Sequence, residues 1–380
     1  MKSTFDTISK ILKSHDLCEY CAGRMVSKLV GKPSSKFLGK KYLKKFNKLH
    51  GKKCYICKNI FDNLDTMLFA IIEQSSTYDF KTYNLGIILK PSFLERDDYL
   101  KSKYKIKGIE NIKFNIATEL SKKISKQTNS KRIIDDPELV IQVNFKSESC
   151  TLQAKHMFVY GRYNKKIRKL PQKQGRCSSC NGIGCHNCNF KGIENIVSIE
   201  GKISNFFIEK FNANQVKINW IGGEDQSSLV LGNGRPFFTK ILDPKRRNHI
   251  LRKSSDLDGV NLSELQKISL PPKGSIPFKS EVSITIDTEK LILSNQLKKL
   301  KNLENIKIKD VSRNKKNTPK RIYKINYKKL GKTSFILDLI VDGGIDIKSF
   351  IQNSNVTPNV SELLENQCEC KKFDFKNIIV

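Results

Sequence analysis

The spacing of apolar residues along the chain predicts a succession of helices and strands. Residues 2–12 and 114–127 place their apolar side chains three and four positions apart, as amphipathic helices do. Four short apolar stretches also lie between residues 60 and 165: TMLFAII, YNLGIILK, ELVIQVNF and MFVYGRY. Helix-like segments that alternate with short apolar stretches are typical of a compact α/β or α+β unit.

From residue 193 onward the predicted elements become longer. We expect helices near 196–211, at NLSELQKI (261–268) and at DIKSFIQ (346–352). Strands are expected at VKINWIG, LVLGNGRPFFTKIL, SEVSITID and TSFILDLIVDG. Together these elements predict one mixed α/β domain that is large enough to carry catalysis.

A chain of 380 residues exceeds the size of one ordinary core, so at least two domains are expected. The predicted segments are residues 1–60, 61–170, 171–192 and 193–380. The first carries two pairs of cysteines, and the second contains the alternating pattern. The third is a cysteine-rich linker with polar, basic flanks, and the fourth is the large mixed domain.

The composition predicts a soluble protein. Hydrophobic residues make up 38% of the chain, which is enough to build real cores. No apolar run reaches the roughly 18 to 20 residues that are needed to cross a bilayer. The N-terminal segment is amphipathic and lacks the unbroken apolar stretch of a signal peptide. We therefore predict a cytoplasmic protein without a membrane partner.

The charge balance predicts a polyanionic partner. Lys and Arg number 70 against 37 Asp and Glu, which gives a formal net charge of +33. A bias towards lysine codons does not explain why acidic residues fail to balance the lysines. Nucleic acid is the default partner, and an anionic membrane surface is the weaker alternative. The lysine-rich stretches 36–53 and 313–321 are predicted to contact phosphates.

The cysteine pattern predicts metal binding. Eight of the 11 cysteines form four CxxC pairs, and a tetrahedral thiolate site needs two such pairs. We predict one or two structural Zn²⁺ sites, with the ligands Cys18, Cys21, Cys54 and Cys57 in one and Cys177, Cys180, Cys185 and Cys188 in the other. Two redox dithiols are the alternative for the first cluster. The neighbouring His15 and His186 are not expected to be ligands.

Residues 220–247, WIGGEDQSSLVLGNGRPFFTKILDPKRR, carry the best candidate for chemistry. A strand ends in a Gly-Gly pair, the next turn presents Glu224 and Asp225, and a second Gly-rich turn contains Arg235. Because glycines permit close backbone approach, Asp225 is expected at the bottom of a cleft. From this pattern alone, an aspartate that only caps a turn is an equal alternative.

Nucleotide-binding loops are absent from the sequence. It contains neither a Walker motif nor a GxGxxG pattern. This argues against a methyltransferase or an ATP-dependent modifying enzyme, and we predict no organic cofactor.

The same segment resembles motif II of the archaeal and eukaryotic tRNA pseudouridine synthases that act on the T loop (Pus10 type). In that family GRED is followed by LGxGRPF and a basic, proline-containing stretch. The corresponding residues here are 222–225, 231–237 and 243–247. The stretches 94–120 and 159–172 and the compact four-cysteine cluster resemble the archaeal branch. The first two CxxC pairs resemble its zinc-bearing, THUMP-containing N-terminal domain.

The resemblance implies an α+β protein. A mixed-sheet pseudouridine synthase catalytic domain would follow a zinc-bearing, THUMP-like α/β N-terminal domain. The implied enzyme is an isomerase that converts T-loop uridine of tRNA to pseudouridine at position 55, with position 54 as a second candidate. Its implied partner is tRNA, bound at the T-arm and the acceptor end, and we expect a monomer.

The resemblance also implies roles for single residues. Asp225 would be the catalytic residue, and the substrate-binding candidates are Arg235, Arg321, Tyr323 and Lys348. Tyr323 is expected to stack on the target uracil, with Tyr327 as the alternative, because residues 318–327 resemble the family's TPxRVxHRR element. The basic residues 245–247 would suit phosphate contacts.

Four features depart from the family pattern, one of which is that the Arg of its C-terminal GRTxP segment is absent. Gly223 stands where the family usually has Arg, Asp346 stands for a Tyr, and Ser349 stands for a Glu. A non-catalytic zinc-ribbon tRNA-binding protein is therefore the alternative function. A THUMP-containing enzyme of another chemistry is a third possibility, disfavoured because its cofactor loops are missing.

Overall fold

The computed structural model describes residues 2–27, 34–48, 53–181, 183, 185–188, 197–310, 319–352 and 356–380. Its internal contacts divide the chain into two compact units. The first is Met1–Lys155 with Lys245–Asn248, and the second is His156–Pro244 with His249–Val380. In the described part of the chain, no helix has the length and apolar character that spanning a bilayer requires.

The first unit packs helices against a four-stranded sheet. Its helices are α1 (Lys2–Ser14), α2 (Glu19–Arg24), α3 (Ser35–Lys45), α4 (Leu64–Ser75), α5 (Pro91–Lys103) and α6 (Ile112–Thr128). Its strands are β1 (Thr82–Ile88), β2 (Lys131–Arg132), β3 (Leu139–Asn144) and β4 (Ser149–Ala154), in the spatial order β2-β1-β3-β4. In β3, the alternating Leu139, Ile141 and Val143 are fully buried, so one face of the sheet forms the core.

Helices α2 and α3 cross with their backbones in direct contact. A Cβ atom added to Gly39 would lie 1.7 Å from the carbonyl oxygen of Glu19, and one added to Gly23 would lie 1.7 Å from that of Ser35. Such distances are far below van der Waals contact, so only glycine fits at either position. This crossing brings the first cysteine pair, at the start of α2, next to the lysine-rich α3.

The second unit is built on a large mixed sheet. Its helices are α7 (Ile199–Phe211), α8 (Ser294–Lys298), α9 (Ile347–Gln352) and α10 (Val360–Leu364). Its strands are β5 (Met157–Lys165), β6 (Gln215–Trp220), β7 (Leu229–Leu242), β8 (Ser255–Asp256), β9 (Val260–Ile268), β10 (Lys279–Thr288), β11 (Lys307–Asp310), β12 (Lys320–Lys329), β13 (Ser334–Asp342), β14 (Val356–Thr357) and β15 (Cys368–Ile379).

Strand β15 lies in the middle of this sheet. The spatial order is β14-β11-β12-β13-β10-β15-β7-β5-β9-β8, and β6 pairs with the end of β7. Strand β15 runs antiparallel to β10 and parallel to β7, so it joins the two halves of the sheet. The observed mixed sheets agree with the predicted α+β class.

The predicted helix at NLSELQKI is wrong, because these residues form β9. The apolar residues Leu262, Leu265 and Ile268 are three apart, which resembles a helical spacing. The spacing arises from a register shift against β5, and Glu264 adopts a left-handed conformation there (φ 52°). A β-bulge inserts one extra residue and so breaks the twofold alternation of a strand.

The predicted end of the second segment, at residue 170, differs from the observed division of the chain. MFVYGRY forms most of β5, which pairs with β7 on one side and β9 on the other. These pairings place β5 in the second unit, which begins at His156. Of the other three apolar stretches, TMLFAII lies within α4, whereas the remaining two form strands β1 and β3. The ranges 1–60 and 171–192 stay predictions.

Candidate active site and metal centres

Asp225 lies in the loop between β6 and β7. Its Oδ1 atom accepts hydrogen bonds from the backbone N–H of Ser227, at 2.8 Å, and from the Ser227 hydroxyl, at 2.6 Å. Such a turn, in which an aspartate caps the backbone two residues later, fixes the carboxylate relative to the loop. The side chain stays 31% exposed, so its second oxygen can meet other groups.

Lys348 supplies the cation for that second oxygen. Its Nζ atom donates to Asp225 Oδ2 at 2.8 Å. Helix α9, which carries Lys348, begins after Asp346, whose Oδ1 accepts from the backbone N–H of Ser349 at 3.1 Å. Partial burial acts to raise the pKa of Asp225, but the hydrogen bonds from Lys348 and Ser227 outweigh it and lower the pKa to about 2. The Asp225 carboxylate is therefore ionised at neutral pH.

A cavity of about 370 Å³ opens above this ion pair. It is lined by Gly223, Glu224, Asp225, Gly344, Ile345, Asp346, Ile347, Lys348, Phe373 and Phe375. The lining combines the carboxylates of Glu224, Asp225 and Asp346, the ammonium group of Lys348 and two aromatic side chains from β15. Such a mixture suits a planar, polar ligand, and the cavity is large enough to admit a nucleobase.

Phe278 holds the two loops that form the cavity. A Cβ atom added to Gly222 would lie 2.3 Å from Phe278 Cζ, and one added to Gly343 would lie 2.2 Å from the same atom. The backbone N–H of Gly343 donates to the Phe278 carbonyl at 2.7 Å. Gly222 also has a φ of 76°, which side-chain-bearing residues rarely adopt. Both glycines are needed for the close approach of these loops to one ring.

A buried polar network lies beneath the loop. Glu224 is fully buried; its Oε1 lies 3.1 Å from Lys165 Nζ and its Oε2 lies 3.5 Å from Arg235 Nε. The Tyr163 hydroxyl donates to Glu224 Oε2 at 3.0 Å. The Gln172 amide donates to the Tyr163 hydroxyl and to the carbonyl of Gly222, at 2.9 and 3.3 Å.

Arg235, predicted as a substrate contact, lies within this network. Its side chain has no exposed surface, donates to the Ile221 carbonyl at 3.0 Å and lies over the Phe375 ring at 4.6 Å. A fully buried guanidinium cannot reach a phosphate without a rearrangement of the loop. In this structure Arg235 therefore supports the loop from below.

Tyr323 and Arg321 lie on β12, next to the loop that leads to Lys348. The Tyr323 hydroxyl donates to Asp342 Oδ1 at 2.9 Å, and the backbone N–H of Arg321 donates to Oδ2 of the same carboxylate at 2.8 Å. A register shift between Ile322 and Lys324 makes Tyr323 the extra residue of a β-bulge, a feature that re-aims a side chain. Lys279 Nζ lies 4.1 Å from the centre of the Tyr323 ring.

Tyr327, the predicted alternative, has a different environment. It pairs with Leu337 across the strands and packs against the hydrophobic core of the second unit. Neither tyrosine lines the cavity above Asp225. Of the two, Tyr323 is the one hydrogen-bonded to Asp342, which lies two residues before the cavity-lining segment 344–348.

The departures from the family pattern have simple structural correlates. A Cβ atom added to Gly223 would meet only Gln172 Oε1, at 3.8 Å, so this position has room for a side chain. Asp346 lines the cavity and accepts the N–H of Ser349, so it serves as a capping residue for the short helix that presents Lys348.

Both cysteine clusters have the geometry of a metal centre. Within each cluster the four sulfur atoms lie within 4.8 Å of one another. In the second cluster, the Sγ atoms of Cys177 and Cys185 are 3.9 Å apart, and those of Cys180 and Cys188 are 3.8 Å apart. Four sulfurs at a Zn–S distance of about 2.3 Å would be separated by about 3.8 Å at the corners of a tetrahedron. Each cluster can therefore hold a metal ion.

The first cluster is fixed to the surrounding unit. The backbone N–H of Cys54 donates to Asn59 Oδ1 at 2.9 Å, and Arg96 donates from Nε and Nη2 to the Ile56 carbonyl at 3.2 and 3.1 Å. Hydrogen bonds from the three other thiols hold the pKa of Cys54 below its usual value. His15 packs against Tyr55 in a tilted arrangement, at a centroid distance of 4.4 Å, and is not part of the sulfur cluster.

Two lysine-rich stretches are predicted to contact phosphates. The structure describes helix α3 in the first stretch, but it describes only residues 319–321 of the second stretch, 313–321. Lys36, Lys40, Lys41, Lys44 and Lys45 are exposed on α3, whereas Leu38, Gly39 and Leu43 are buried. Residues 313–318 and 49–52 lie outside the described residues. In the segment 245–247, Arg247 donates to the carbonyls of Glu138 and Lys155 at 3.0 and 3.3 Å, so its guanidinium is already engaged.

Sequence reasoning missed Lys165, Tyr163 and Gln172. They lie in the stretch 159–172, which resembles the family but has no spacing of residue types that indicates a chemical role. The signal that could have found Lys165 is the twofold alternation of β5, which places this lysine on the same buried face as Met157, Val159 and Tyr163. A buried ammonium needs several oxygen acceptors.

Comparison with known proteins gives consistent matches. A family model described as "Pus10, C-terminal" matches residues 158–378, and one described as "Pus10 THUMP domain, archaeal" matches residues 69–144. The "tRNA pseudouridine synthase Pus10" of Nitrosopumilus maritimus is 42% identical over 98% of this chain and 97% of its own length. The protein of that name from Cenarchaeum symbiosum is 31% identical over 86% of this chain and 81% of its own.

Solved structures give a weaker likeness. A Cbf5-Nop10-Gar1 complex contains a chain that is 10% identical, covers 57% of this chain and 49% of its own, and has a TM-score of 0.31. A TM-score of this size does not identify a common fold.

Proposed function

The chain belongs to the Pus10 family of tRNA pseudouridine synthases, and from that premise we propose that it converts T-loop uridine of tRNA to pseudouridine with Asp225 as the catalytic residue. The proposed target is position 55, with position 54 as a second candidate. One observation carries the assignment of Asp225: an ionised, partly exposed carboxylate lies in a cavity that is large enough to admit a nucleobase, and it is held by Lys348.

The reaction breaks the N-glycosidic bond, turns the uracil and rejoins it to the ribose through carbon. A carboxylate can act in such a sequence as nucleophile or as base. The Asp225 carboxylate is fixed through Ser227 and Lys348, so it would meet the nucleotide in one orientation. An oriented reacting group lowers the entropic cost of reaching the transition state.

The target base has to leave the tRNA fold before it reaches Asp225. Extrusion of a base costs a few kcal/mol, which contacts with the protein must offset. Phe373 and Phe375 line the cavity, and Tyr323 lies at the neighbouring loop. We assign stacking on the extruded uracil or its neighbour to these aromatic side chains, with Tyr323 as the first candidate. Arg321 and Lys348 remain the candidate polar contacts, and a supporting role replaces substrate binding for Arg235.

The exposed lysines of α3 are the proposed phosphate-binding surface of the first unit. Lys36, Lys40 and Lys44 are spaced four residues apart and so lie on one side of the helix. Like charges at this spacing destabilise a helix, and a bound polyanion relieves their repulsion. Phe37, 63% exposed among these lysines, could add stacking on an unpaired base. Such a surface fits the acceptor end of tRNA.

Zinc is the proposed metal of both cysteine clusters. Tetrahedral sets of four thiolates are typical of structural zinc sites, which keep no open position for catalysis. The two clusters would then stabilise the N-terminal segment and the 177–188 loop without taking part in the isomerisation. Metal analysis of purified protein should give two zinc ions per chain, and Cys54→Ser with Cys57→Ser should remove one of them. We also propose that the enzyme is cytoplasmic and monomeric.

A tRNA transcript without modifications tests the proposed reaction. Wild-type protein should form pseudouridine in the T loop, detected by carbodiimide treatment and primer extension, whereas Asp225→Asn should form none and still bind the tRNA. If the wild type formed no product, the proposed activity would be wrong, and the non-catalytic tRNA-binding protein would be the favoured alternative. Equal product from wild type and Asp225→Asn would remove Asp225 from the mechanism.

A further inference from the structure

We propose that Lys165 is a positioning residue for Asp225, because its ammonium group holds the backbone of the loop from which that carboxylate projects. The proposal rests on the proposed function of Asp225 and deepens it. Lys165 lies at the end of β5, and its side chain has no exposed surface. It therefore cannot contact tRNA, and its effect must pass through the residues that surround it.

Four oxygen atoms surround the Lys165 ammonium. The carbonyls of Asp225, Gln226 and Leu170 lie 3.1, 3.3 and 3.2 Å from Nζ. Glu224 Oε1 lies 3.1 Å away. An ammonium group has three hydrogens to donate, and the three carbonyls can accept all of them. Two of these carbonyls belong to the loop of Asp225, and the third belongs to Leu170, five residues after Lys165.

The same stretch of chain holds the loop at two further points. The backbone N–H of Lys169 donates to the Gln226 carbonyl at 2.8 Å, and Arg168 Nη1 donates to the Ser227 carbonyl at 2.6 Å. Arg168 also binds Asp374 on β15, at 2.8 Å. Residues 165–169 thus form a cradle of donors beneath the carbonyls of residues 225–227.

The position of the Asp225 carboxylate depends on both sides of the loop. Its backbone is held from below by Lys165, and its side chain is held from above by Lys348, which belongs to a different element, α9. If Lys165 were replaced by an apolar side chain, the carbonyls of Leu170, Asp225 and Gln226 would lose their donor. The buried Glu224 carboxylate would also lose a paired positive charge. The loop would then shift to find other partners, and Asp225 would move away from Lys348.

The charged and titratable groups around Asp225 come from three directions. Lys348 and Asp346 approach from α9, Cys370 approaches from β15, and Lys165 and Glu224 lie beneath. Loss of Lys165 alone would change the charge beneath the loop as well as its position. Loss of Lys165 together with Glu224 removes one positive and one negative charge, so it isolates the effect of position.

Three variants separate a positioning role from a role in overall stability. They are Lys165→Met, the double variant Lys165→Met with Glu224→Gln, and Arg162→Met. Arg162 is the matched control, because it is also a buried cation of β5 that donates to backbone carbonyls. Its acceptors lie outside the Asp225 loop: they are the carbonyls of Asn233, at 2.7 Å, Gly234, at 3.1 Å, and Ile378. Thermal unfolding should be recorded for all three variants.

Two measurements should be made on the full chain. The first is kcat and KM with an unmodified tRNA transcript, together with the affinity for that tRNA. The second is the titration of the Asp225 carboxyl carbon by NMR in protein with ¹³C-labelled aspartate, assigned by the signal that is lost in Asp225→Asn. The NMR titration requires no turnover, so it tests Lys165 even if the proposed reaction is not observed.

The two Lys165 variants should lower kcat by about 10-fold to 100-fold, the effect of a small displacement of a reacting group, with KM and tRNA affinity within about twofold of wild type. Their Asp225 pKa should rise, whereas Arg162→Met should leave it at the wild-type value. An unchanged Asp225 pKa in the folded double variant would overturn the proposal. So would unfolding of both Lys165 variants at a temperature at which Arg162→Met remains folded.

Discussion

At Asp225, two opposing effects act on one carboxylate. Partial burial favours its protonated form, whereas the hydrogen bonds from Lys348 and Ser227 favour the ionised form and prevail, with a pKa of about 2. A carboxylate whose pKa is lowered on folding stabilises the native state above the ordinary pKa near 4, and that contribution is lost as the pH falls towards 2. Ionisation of Asp225 should therefore not limit activity at any pH at which the protein stays folded.

Replacement of Lys348 tests whether its hydrogen bond is what keeps the pKa of Asp225 low. In Lys348→Met the strongest pKa-lowering contact is lost, so the pKa of Asp225 should rise and an acid limb should appear in the pH profile of kcat. We also expect kcat at neutral pH to fall about tenfold or more, because one of the two contacts that orient the carboxylate is missing. The exposed Lys372 on β15 provides the control, since Lys372→Met should retain the wild-type profile. Identical profiles for both variants would contradict this assignment.

The two candidate tyrosines can be separated by their different surroundings. Tyr323→Phe should lose only the bond to Asp342, and Tyr323→Ala should also lose the ring. If the ring stacks on RNA, the alanine variant should lower kcat/KM at least tenfold more than the phenylalanine variant, with both folded. Tyr327→Ala should instead lower the melting temperature, because this ring packs on the core. Equal kcat/KM for Tyr323→Phe and Tyr323→Ala would rule out stacking.

At single positions, the sequence indicates which residues can carry out chemistry or bind metal. It says less about which residues hold those groups in place. Asp225 and the eight cysteines could be chosen because their types and spacings have chemical meaning in isolation. Arg235 was assigned to the substrate since a short pattern does not tell whether a side chain points up into a cavity or down into a core. Lys165 is 60 residues from the loop that it holds, and only the pairing of β5 with β7 brings the two together.

At the level of elements, the crossing of α2 and α3 is a closely constrained contact in the first unit. Gly39→Ala would place a Cβ atom 1.7 Å from the Glu19 carbonyl, so the helices must separate. We expect a destabilisation of about 1 to 3 kcal/mol or more, as for other overpacked contacts, and faster loss of metal to a chelator. Both can be measured, the first by thermal unfolding and the second by release of the bound metal to a chromogenic chelator.

Gly86 is the matched control in the same unit. A Cβ atom added there would meet Gln142 Cγ at 3.9 Å, which is ordinary contact, so Gly86→Ala should change neither quantity appreciably. If Gly39→Ala behaved like Gly86→Ala, the close crossing of α2 and α3 would be wrong.

The elements themselves were largely predictable, and the exceptions have local causes. The strand at 279–288 and the helix at 112–128 follow clear twofold and helical periods. At β9 the bulge at Glu264 gives the apolar residues the spacing of a helix, so their period wrongly predicts a helix there. At TMLFAII the unbroken apolar run had no period to distinguish a helix from a strand. The order of strands in the sheet could not be predicted, because it depends on contacts between distant parts of the chain.

For the whole molecule, the formal net charge of +33 predicts that binding depends strongly on salt. If α3 contacts phosphates, the combined changes Lys36→Gln, Lys40→Gln and Lys44→Gln should reduce the slope of log affinity against log salt by about one for each lost contact. The quantity to measure is tRNA affinity over a series of salt concentrations.

The control for this prediction lies on α6. Lys122 and Lys123 are paired with Glu119 and Asp65, so changing both to Gln removes the same kind of charge from the same unit. This control should change the slope much less than the α3 variant. Equal slopes for the two variants would place the phosphate contacts elsewhere on the protein.

The central place of β15 has a consequence for how the protein is made. Synthesis proceeds from the N-terminus, and the sheet of the second unit cannot close until residues 368–379 have left the ribosome. Until then β7 and β10 expose unpaired edges, and Asp374 is not available to Leu229 or Arg168. Such nascent chains are prone to associate with one another or to be captured by chaperones. Translation pauses late in the message should therefore reduce the yield of active enzyme more than pauses within the first unit.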